Sequence, residues 1–319
     1  MPDRLLLLDA ASLYFRAFYG VPDQRRSPGE APTNAIRGFL DMIATLISQH
    51  APTHLAACWD NDWRPPWRVA LIPSYKAHRV AGAPPSSAPS PGLAAPMPEE
   101  VPDELSPQVP LIVDALTALG IVRVGADGYE ADDVIGTLCR TNRGRMPIDI
   151  VTGDRDLFQL VDDAGQVRVL YTARSGVRDA AVVDEDYLAR AYGVPNGAAY
   201  LDMSILRGDA SDGLPGVRGI GEKTAAKLIS TYGTLAALLN ALDAGDPQIR
   251  GAQRTRLEEG QAYLAVAPKV VAVAGEVPLP ASLDLRRPTA VADPVLLSRL
   301  AHDYGLTTTF NRVLGALGI

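Results

Sequence analysis

Cysteine and histidine are scarce in this chain, and long apolar runs are missing from it. Two cysteines among 319 residues, Cys58 and Cys139, cannot build the disulfide framework of a small secreted protein, and they lack the spacing of a zinc site. Cys58 lies in a strand-like run and Cys139 in a helical pattern, so both read as small buried residues. The four histidines, His50, His54, His78 and His302, form no HxH or HExxH pattern, which leaves zinc chemistry unsupported. The longest apolar run near the start, LLLL at 5–8, is bounded by Arg4 and Asp9 and is too short for a signal-peptide core or a membrane span. A soluble, cytoplasmic protein without a membrane partner is expected. Net positive charge is missing too. A formal charge of −7 argues against a nucleic-acid partner, because phosphate binding needs local cations. The objection weakens once the positions of the acids are considered.

What is present is an ordinary globular composition, 47% apolar, in a chain long enough for one well-buried core and a smaller module. The first half alternates short apolar runs with amphipathic segments, the pattern of a doubly wound, mainly parallel sheet covered by helices. Strands are expected at 4–9, 53–60, 121–125, 148–154 and 167–171. Helices are expected at 34–49, where Ile36, Phe39, Leu40, Ile43 and Ile47 make a stripe, and at 110–119. Residues 82–107 are rich in proline, serine, alanine and glycine, too long for an ordinary connection and unable to form a continuous helix. After 183 the pattern turns helical, with Asp184 and Thr234 as N-caps and Gly193 and Gly233 as helix stops. The expected division is an α/β domain over 1–182, a helical module over 183–280, and a segment 281–319 that packs back on the core.

Three expected strands run into aspartate: Asp9, Asp60, and Asp154 with Asp156. In an open parallel sheet, ligands bind in the crevice outside the carboxyl ends of the strands, so these acids converge on one edge. Glu130, Asp132 and Asp133, in GYEADDVIGTL, open the helix that leaves the same edge. Glu130 and Asp133, three apart, share a helical face, with Asp132 to one side. Asp209 and Asp212 in RGDASDGLPG stand where the helical module begins. Each acid alone is explained as a turn residue, an N-cap or a first-turn acid meeting a helix dipole. Together they are not, because two like charges about 4 Å apart repel by about 4 kcal/mol at an effective dielectric near 20. Hard divalent cations are the natural counter-charge, and an all-oxygen set points to Mg²⁺ or Mn²⁺, two or more ions, with some acids binding through water. Two such ions suit in-line phosphodiester displacement, one activating a water and one easing departure of the leaving oxygen. With nine of the 37 acids assigned to that cleft, 28 remain against 30 Lys and Arg, a slightly basic surface.

Cations accompany the acids. Arg16 follows Asp9 by two helical turns, and SYKAHR supplies Tyr75, Lys76 and Arg79; in a helix, Lys76 and Arg79 would share a face fit to clamp a phosphate while Tyr75 stacked on a base. The plainer alternative is a solvated patch over a buried tyrosine. In LPGVRGIGEKTAAKLI, Gly216, Gly219 and Gly221 allow a tight turn whose amides, with the following helix N-terminus and with Lys223 and Lys227, make an anion site that holds a DNA backbone without reading its sequence.

LLLLDAASLYFRAF, CWD, SYKAHR, GYEADDVIGTL, VTGDRDLFQLV, GDASDGLPGVRGIGEKTAAKLI and GLTTTFNRVL together resemble the 5′-nucleases, the flap endonucleases and the 5′→3′ exonuclease domain of bacterial DNA polymerase I. The resemblance runs nearly end to end. It implies a PIN-like nuclease domain, a helix-three-turn-helix (SAM-like) module, and metal-dependent cleavage of DNA at 5′ flaps, nicks and 5′ ends. It implies that all nine carboxylates belong to the metal site, that Lys76 and Arg79 act on the scissile phosphate, and that Tyr75 stacks on a base. It also implies a stand-alone nuclease; where the family has a helical arch over the active site, this chain departs from it with the proline-rich 82–107 stretch, expected to be mobile without DNA. A catalytically inactive DNA-binding scaffold and a PIN-type ribonuclease are the alternatives; protein partners are not indicated.

Overall fold

The computed structural model describes residues 3–25, 29–80 and 101–319. Most of the proline-rich segment, and with it the mobile stretch expected in place of the arch, lies outside the described residues.

Six strands form one sheet: β1 (Leu5–Asp9), β2 (His54–Cys58), β3 (Val122–Val124), β4 (Ile148–Thr152), β5 (Val167–Tyr171) and β6 (Ala181–Val183), in the order β3-β2-β1-β4-β5-β6. Every pairing is parallel except β5 with β6. The five expected strands are there. The sixth, β6, was not among the expected strands. LLLL is apolar without a break because both faces of β1 are covered. Leu5 and Leu7 join one buried cluster, Leu6 and Leu8 the other, and all four have no exposed surface. Each such burial stabilises by about 1.5–3 kcal/mol.

One face carries α1 (Ala10–Gly20), α2 (Asn34–His50) and α4 (Gln108–Leu119); a short α3 (Pro66–Leu71) precedes α4 in the chain, and α5 (Ala131–Asn142) lies on the opposite face. Past β6 the chain is a run of helices, α6 (Glu185–Tyr192), α7 (Gly197–Arg207), α8 (Glu222–Tyr232), α9 (Leu235–Asp243), α10 (Ala252–Glu259) and α11 (Gln261–Val271). Its caps are those expected: Asp184 accepts from the Tyr187 amide, Thr234 from the Ala237 amide, and Gly193 closes α6 at φ 74°. The chain then returns along the sheet, where Leu285 accepts from the Leu55 amide. It ends in α12 (Pro294–Asp303) on α4 and α13 (Thr307–Leu317) on α2. Among the described residues no helix is long and apolar enough to cross a membrane.

The strand order places the site. The chain builds outward from β1 to β3, then returns to lay β4 against the other side of β1. The crevice at this switch opens at the carboxyl ends of β1, β2 and β4.

Candidate active site

A cleft of about 400 Å³ opens there, and Asp9, Asp60, Glu130, Asp132, Asp154, Asp209, Lys76 and Arg79 are among its lining residues. Asp156 and Asp212 lie in an adjoining recess that shares Glu130 and Asp132 with it. Eight of the nine expected carboxylates therefore border one connected depression; Asp133 does not.

Asp9 ends β1 and caps α1, accepting from the Ser12 amide at 3.2 Å and from Thr152 Oγ1 at 2.6 Å. Thr152 in turn accepts from the Asp154 amide at 2.8 Å, so β1 and β4 are tied where their acids emerge. Asp60 accepts from the Ala131 amide at 2.8 Å and so fixes the start of α5. These acids are caps and cleft residues at once, and the two explanations are not exclusive.

The acids sort by partner. Asp9, Asp60, Asp132, Asp154 and Asp156 have no ion-pair partner among the described residues. Glu130 pairs with Lys76 at 2.6 Å and Arg68 at 2.7 Å, Asp133 with Arg68 at 2.6 Å, and Asp212 with Arg79 at 2.5 Å. Asp209 lies 3.9 Å from Arg207. Of these, Asp9, Asp132, Asp154 and Asp156 are electrostatically strained. Burial, then the neighbouring Asp60, pushes the Asp9 carboxyl up to about 7 despite its hydrogen bonds. Burial followed by the charges of Asp9 and Asp154 raises Asp132, and burial followed by Asp154 and Asp212 raises Asp156. As the side chains stand, no three described His, Cys, Asp or Glu residues close on a single ion. An all-oxygen set spread around a roomy cleft nonetheless fits hydrated divalent cations, which keep several waters and take few carboxylates directly.

Three expectations need correction. Asp133 faces away from the cleft. It has no exposed surface, grips Arg68 with both oxygens, and accepts from the Glu130 amide at 3.1 Å and the Ala274 amide at 2.8 Å. Its companion on that face, Glu130, binds the same arginine, and the residue set to one side, Asp132, is the one that lines the cleft and feels the charges of Asp9 and Asp154. Tyr75 is 4% exposed and donates to Glu130 Oε2 at 2.8 Å, so its ring is buried and not offered to a base. Arg16 is not among the lining residues; it donates to the Ala173 carbonyl at 3.3 Å.

Lys76 and Arg79 reach the cleft by a route that helical periodicity did not foresee. Lys76 adopts a left-handed conformation at φ 48°, and only residues 77–79 form a 3₁₀ turn. Such a backbone costs about 1–3 kcal/mol in a residue with a side chain. It is held by the module junction: the Lys76 amide donates to the Asp212 carbonyl at 2.9 Å and Ser74 Oγ to the Gly213 carbonyl at 2.7 Å. A Cβ on Gly213 would stand 2.0 Å from the Ser74 carbonyl oxygen, so only glycine permits the approach. Arg64, unnoticed in the sequence, braces the loop by donating to the carbonyls of Pro73 and Tyr75.

In the hairpin, Gly216 (φ 63°) and Gly219 (φ 74°) are left-handed, whereas Gly221 is extended at φ −85° and serves as the N-cap of α8. Lys223 and Lys227 are exposed on α8, and so is Arg218 between the glycines. Arg256 of α10 donates to the Gly219 carbonyl at 3.1 Å. Neither arginine was singled out from the sequence; Arg218 lay within the motif, whereas Arg256 had no local signal.

A 5′-3′ exonuclease N-terminal resolvase-like domain model matches residues 4–193, and a 5′-3′ exonuclease C-terminal SAM-fold model matches residues 196–292. The chain belongs to the 5′-3′ exonuclease family. It is 56% identical over 312 residues to a 5′-3′ exonuclease of Streptomyces coelicolor, covering 98% of this chain and 99% of that one. A 5′-3′ exonuclease of Mycobacterium tuberculosis is 46% identical over 322 residues, with 99% and 98% covered. The fold matches a bacteriophage T5 flap endonuclease, solved as a pseudo-enzyme-product complex with DNA and metal ions, at TM-score 0.62 and 14% identity, covering 99% of this chain and 98% of that one. The family's activity, 5′-3′ exonuclease cleavage, is the chemistry that the cleft has to serve.

Proposed function

We propose that this exonuclease-family chain cuts DNA phosphodiesters near single-strand/duplex junctions, at 5′ flaps, nicks and 5′ ends, with Mg²⁺ or Mn²⁺ as the bound metal. The observation that carries the reading is the set of unpaired acids, Asp9, Asp60, Asp132, Asp154 and Asp156, gathered beside Lys76 and Arg79 at the carboxyl ends of parallel strands. Those five acids, with Glu130, Asp209 and Asp212 around them, would hold the ions. When bound, divalent ions supply charge neutralisation and a water activated for attack on phosphorus.

The chain's own groups do the rest. Lys76 and Arg79 meet a phosphate between the acids and the second module; both are now paired to acids and would exchange part of that pairing for the substrate's oxygens. Gly216, Gly219, the α8 N-terminus, Lys223 and Lys227 grip the duplex backbone with no base readout. The substrate class is that of the phage flap endonuclease with which this fold is shared.

The test is a labelled 5′-flap DNA incubated with the full chain in Mg²⁺, in Mn²⁺ and in EDTA, beside the same flap made of RNA. Cleavage of DNA in either metal and none in EDTA is expected. Binding without cleavage in all three would make the protein a scaffold, and preference for the RNA flap would make it a ribonuclease.

A further inference from the structure

Arg68, in α3, was passed over in the sequence, yet the two modules meet around it. Its residue is 2% exposed, and a guanidinium withdrawn from water must have its donors satisfied. Nη1 donates to Glu130 Oε2 at 2.7 Å and to Asp133 Oδ2 at 2.8 Å, and Nη2 to Asp133 Oδ1 at 2.6 Å. Nε donates to the Val270 carbonyl at 3.0 Å, and Nη2 also reaches the Ala272 carbonyl at 3.4 Å. Thus the first turn of α5 presents two carboxylates, while the C-terminal end of α11, the negative end of its dipole, presents two carbonyls to the same cation. The Trp67 ring lies under the guanidinium, its centroid 4.4 Å from the central carbon.

The chain beyond α11 is fastened to the same place. Asp133 accepts from the Ala274 amide, and Thr137 of α5 donates to the Ala274 carbonyl at 3.2 Å. Gln159 donates to the Val271 carbonyl and accepts from the Val273 amide. Of this arrangement only Glu130 lines the main cleft; Arg68, Gln159 and the end of α11 border the recess that adjoins it. The two Glu130 oxygens divide their partners: Oε2 takes Arg68 and Tyr75, and Oε1 takes the Lys76 ammonium at 2.6 Å. Turning Glu130 would strip Arg68 and Tyr75 of a buried acceptor, so the carboxylate is held in one rotation and Lys76 with it.

We propose that Arg68 is a positioning residue for hydrolysis: anchored on the end of α11, it locks Glu130, and through Glu130 Lys76, in the orientation both present to the cleft. This rests on the nuclease reading given above. A purely structural Arg68 would stabilise the module junction and leave cleft chemistry alone, so the two roles separate by measurement.

Arg68→Lys keeps the charge and loses the forked geometry. Asp133→Asn loosens Arg68 from the other side and leaves Glu130 and Lys76 unaltered. For the full chain, folding is followed by far-UV circular dichroism, Mn²⁺ binding by calorimetry without DNA, flap-DNA affinity in EDTA, and cleavage as a single-turnover rate. Both variants are expected to fold and to bind flap DNA within about twofold of the parent. Mn²⁺ binding and the single-turnover rate should each fall by about 10- to 100-fold, as for partners that orient a metal's ligands. Parent-like Mn²⁺ binding and rate in either folded variant overturn the proposal. If Arg68→Lys does not fold, Asp133→Asn decides. Should the parent cut no DNA, the nuclease reading fails, and the Mn²⁺ titrations still decide the role of Arg68.

Discussion

At the scale of single residues, the cleft is a place where burial and crowding make acids hold their protons. Asp9 shows the consequence for pH. Its carboxyl is pushed up to about 7 by burial and by Asp60, whereas the unfolded chain releases that proton near 3.8. Between those values the folded state holds the extra proton, so stability falls as pH rises through this window and levels off above it. Melting temperatures of the metal-free protein at several pH values should show the decline. Saturating Mn²⁺ should flatten it, and Asp9→Asn, which can still cap α1, should shrink it; a decline of the same size in Asp9→Asn would trace it to other groups. Tyr75 gives a second prediction. Because its ring is buried and its hydroxyl donates to Glu130, Tyr75→Phe should cost about 1–2 kcal/mol in urea denaturation and leave flap-DNA affinity in EDTA unchanged. A large loss of affinity with normal stability would restore the stacking role. The sequence raised both possibilities for Tyr75. It could not choose between them, because the burying neighbours, Arg68 and Glu130, come from other elements.

At the scale of elements, the hairpin between α7 and α8 was the most readable feature after the strands. Its glycines mark left-handed backbone locally: a Cβ on Gly216 would stand 2.4 Å from the Arg207 carbonyl oxygen, a constraint visible as a glycine without any knowledge of the partner. Lys223 and Lys227 are exposed on the helix that follows. Lys223→Ala should therefore weaken duplex binding and lower the slope of log affinity against log salt by about one, with the single-turnover cleavage rate unaltered. Identical slopes would remove Lys223 from the backbone contacts. The loop at 73–79 was far less readable. SYKAHR suggested a helical face, and the left-handed Lys76 is held by residues far along the chain, Asp212 accepting from its amide and Gly213 from the Ser74 hydroxyl.

At the scale of the whole molecule, the two modules share one buried seam. Arg68, Asp133, Thr137 and Gln159 on the nuclease side hold the end of α11 and the residues after it, and the final helices return to the opposite face of the sheet. Because one buried apolar cluster also runs through both modules, the two are expected to unfold together. All three tryptophans, Trp59, Trp63 and Trp67, lie in the nuclease domain, while much of the helix lies in the second module. Urea unfolding of the metal-free protein, followed by tryptophan fluorescence and by far-UV circular dichroism, should give coincident curves; separated midpoints would show that the seam is weaker than its hydrogen bonds suggest.

The amino-acid sequence by itself determined the strands, the edge on which the acids collect, the helix caps and the hairpin, because each depends on residues close together in the chain: an apolar run, an aspartate just past it, a glycine where the backbone must turn left-handed. Only the tertiary structure decided which acids are left without a cation, that Asp133 is tied up by Arg68, that Tyr75 is enclosed, and that Lys76 is bent toward the cleft. Those outcomes depend on charges and carbonyls brought together from distant segments, and a buried carboxylate's role is set by what stands opposite it.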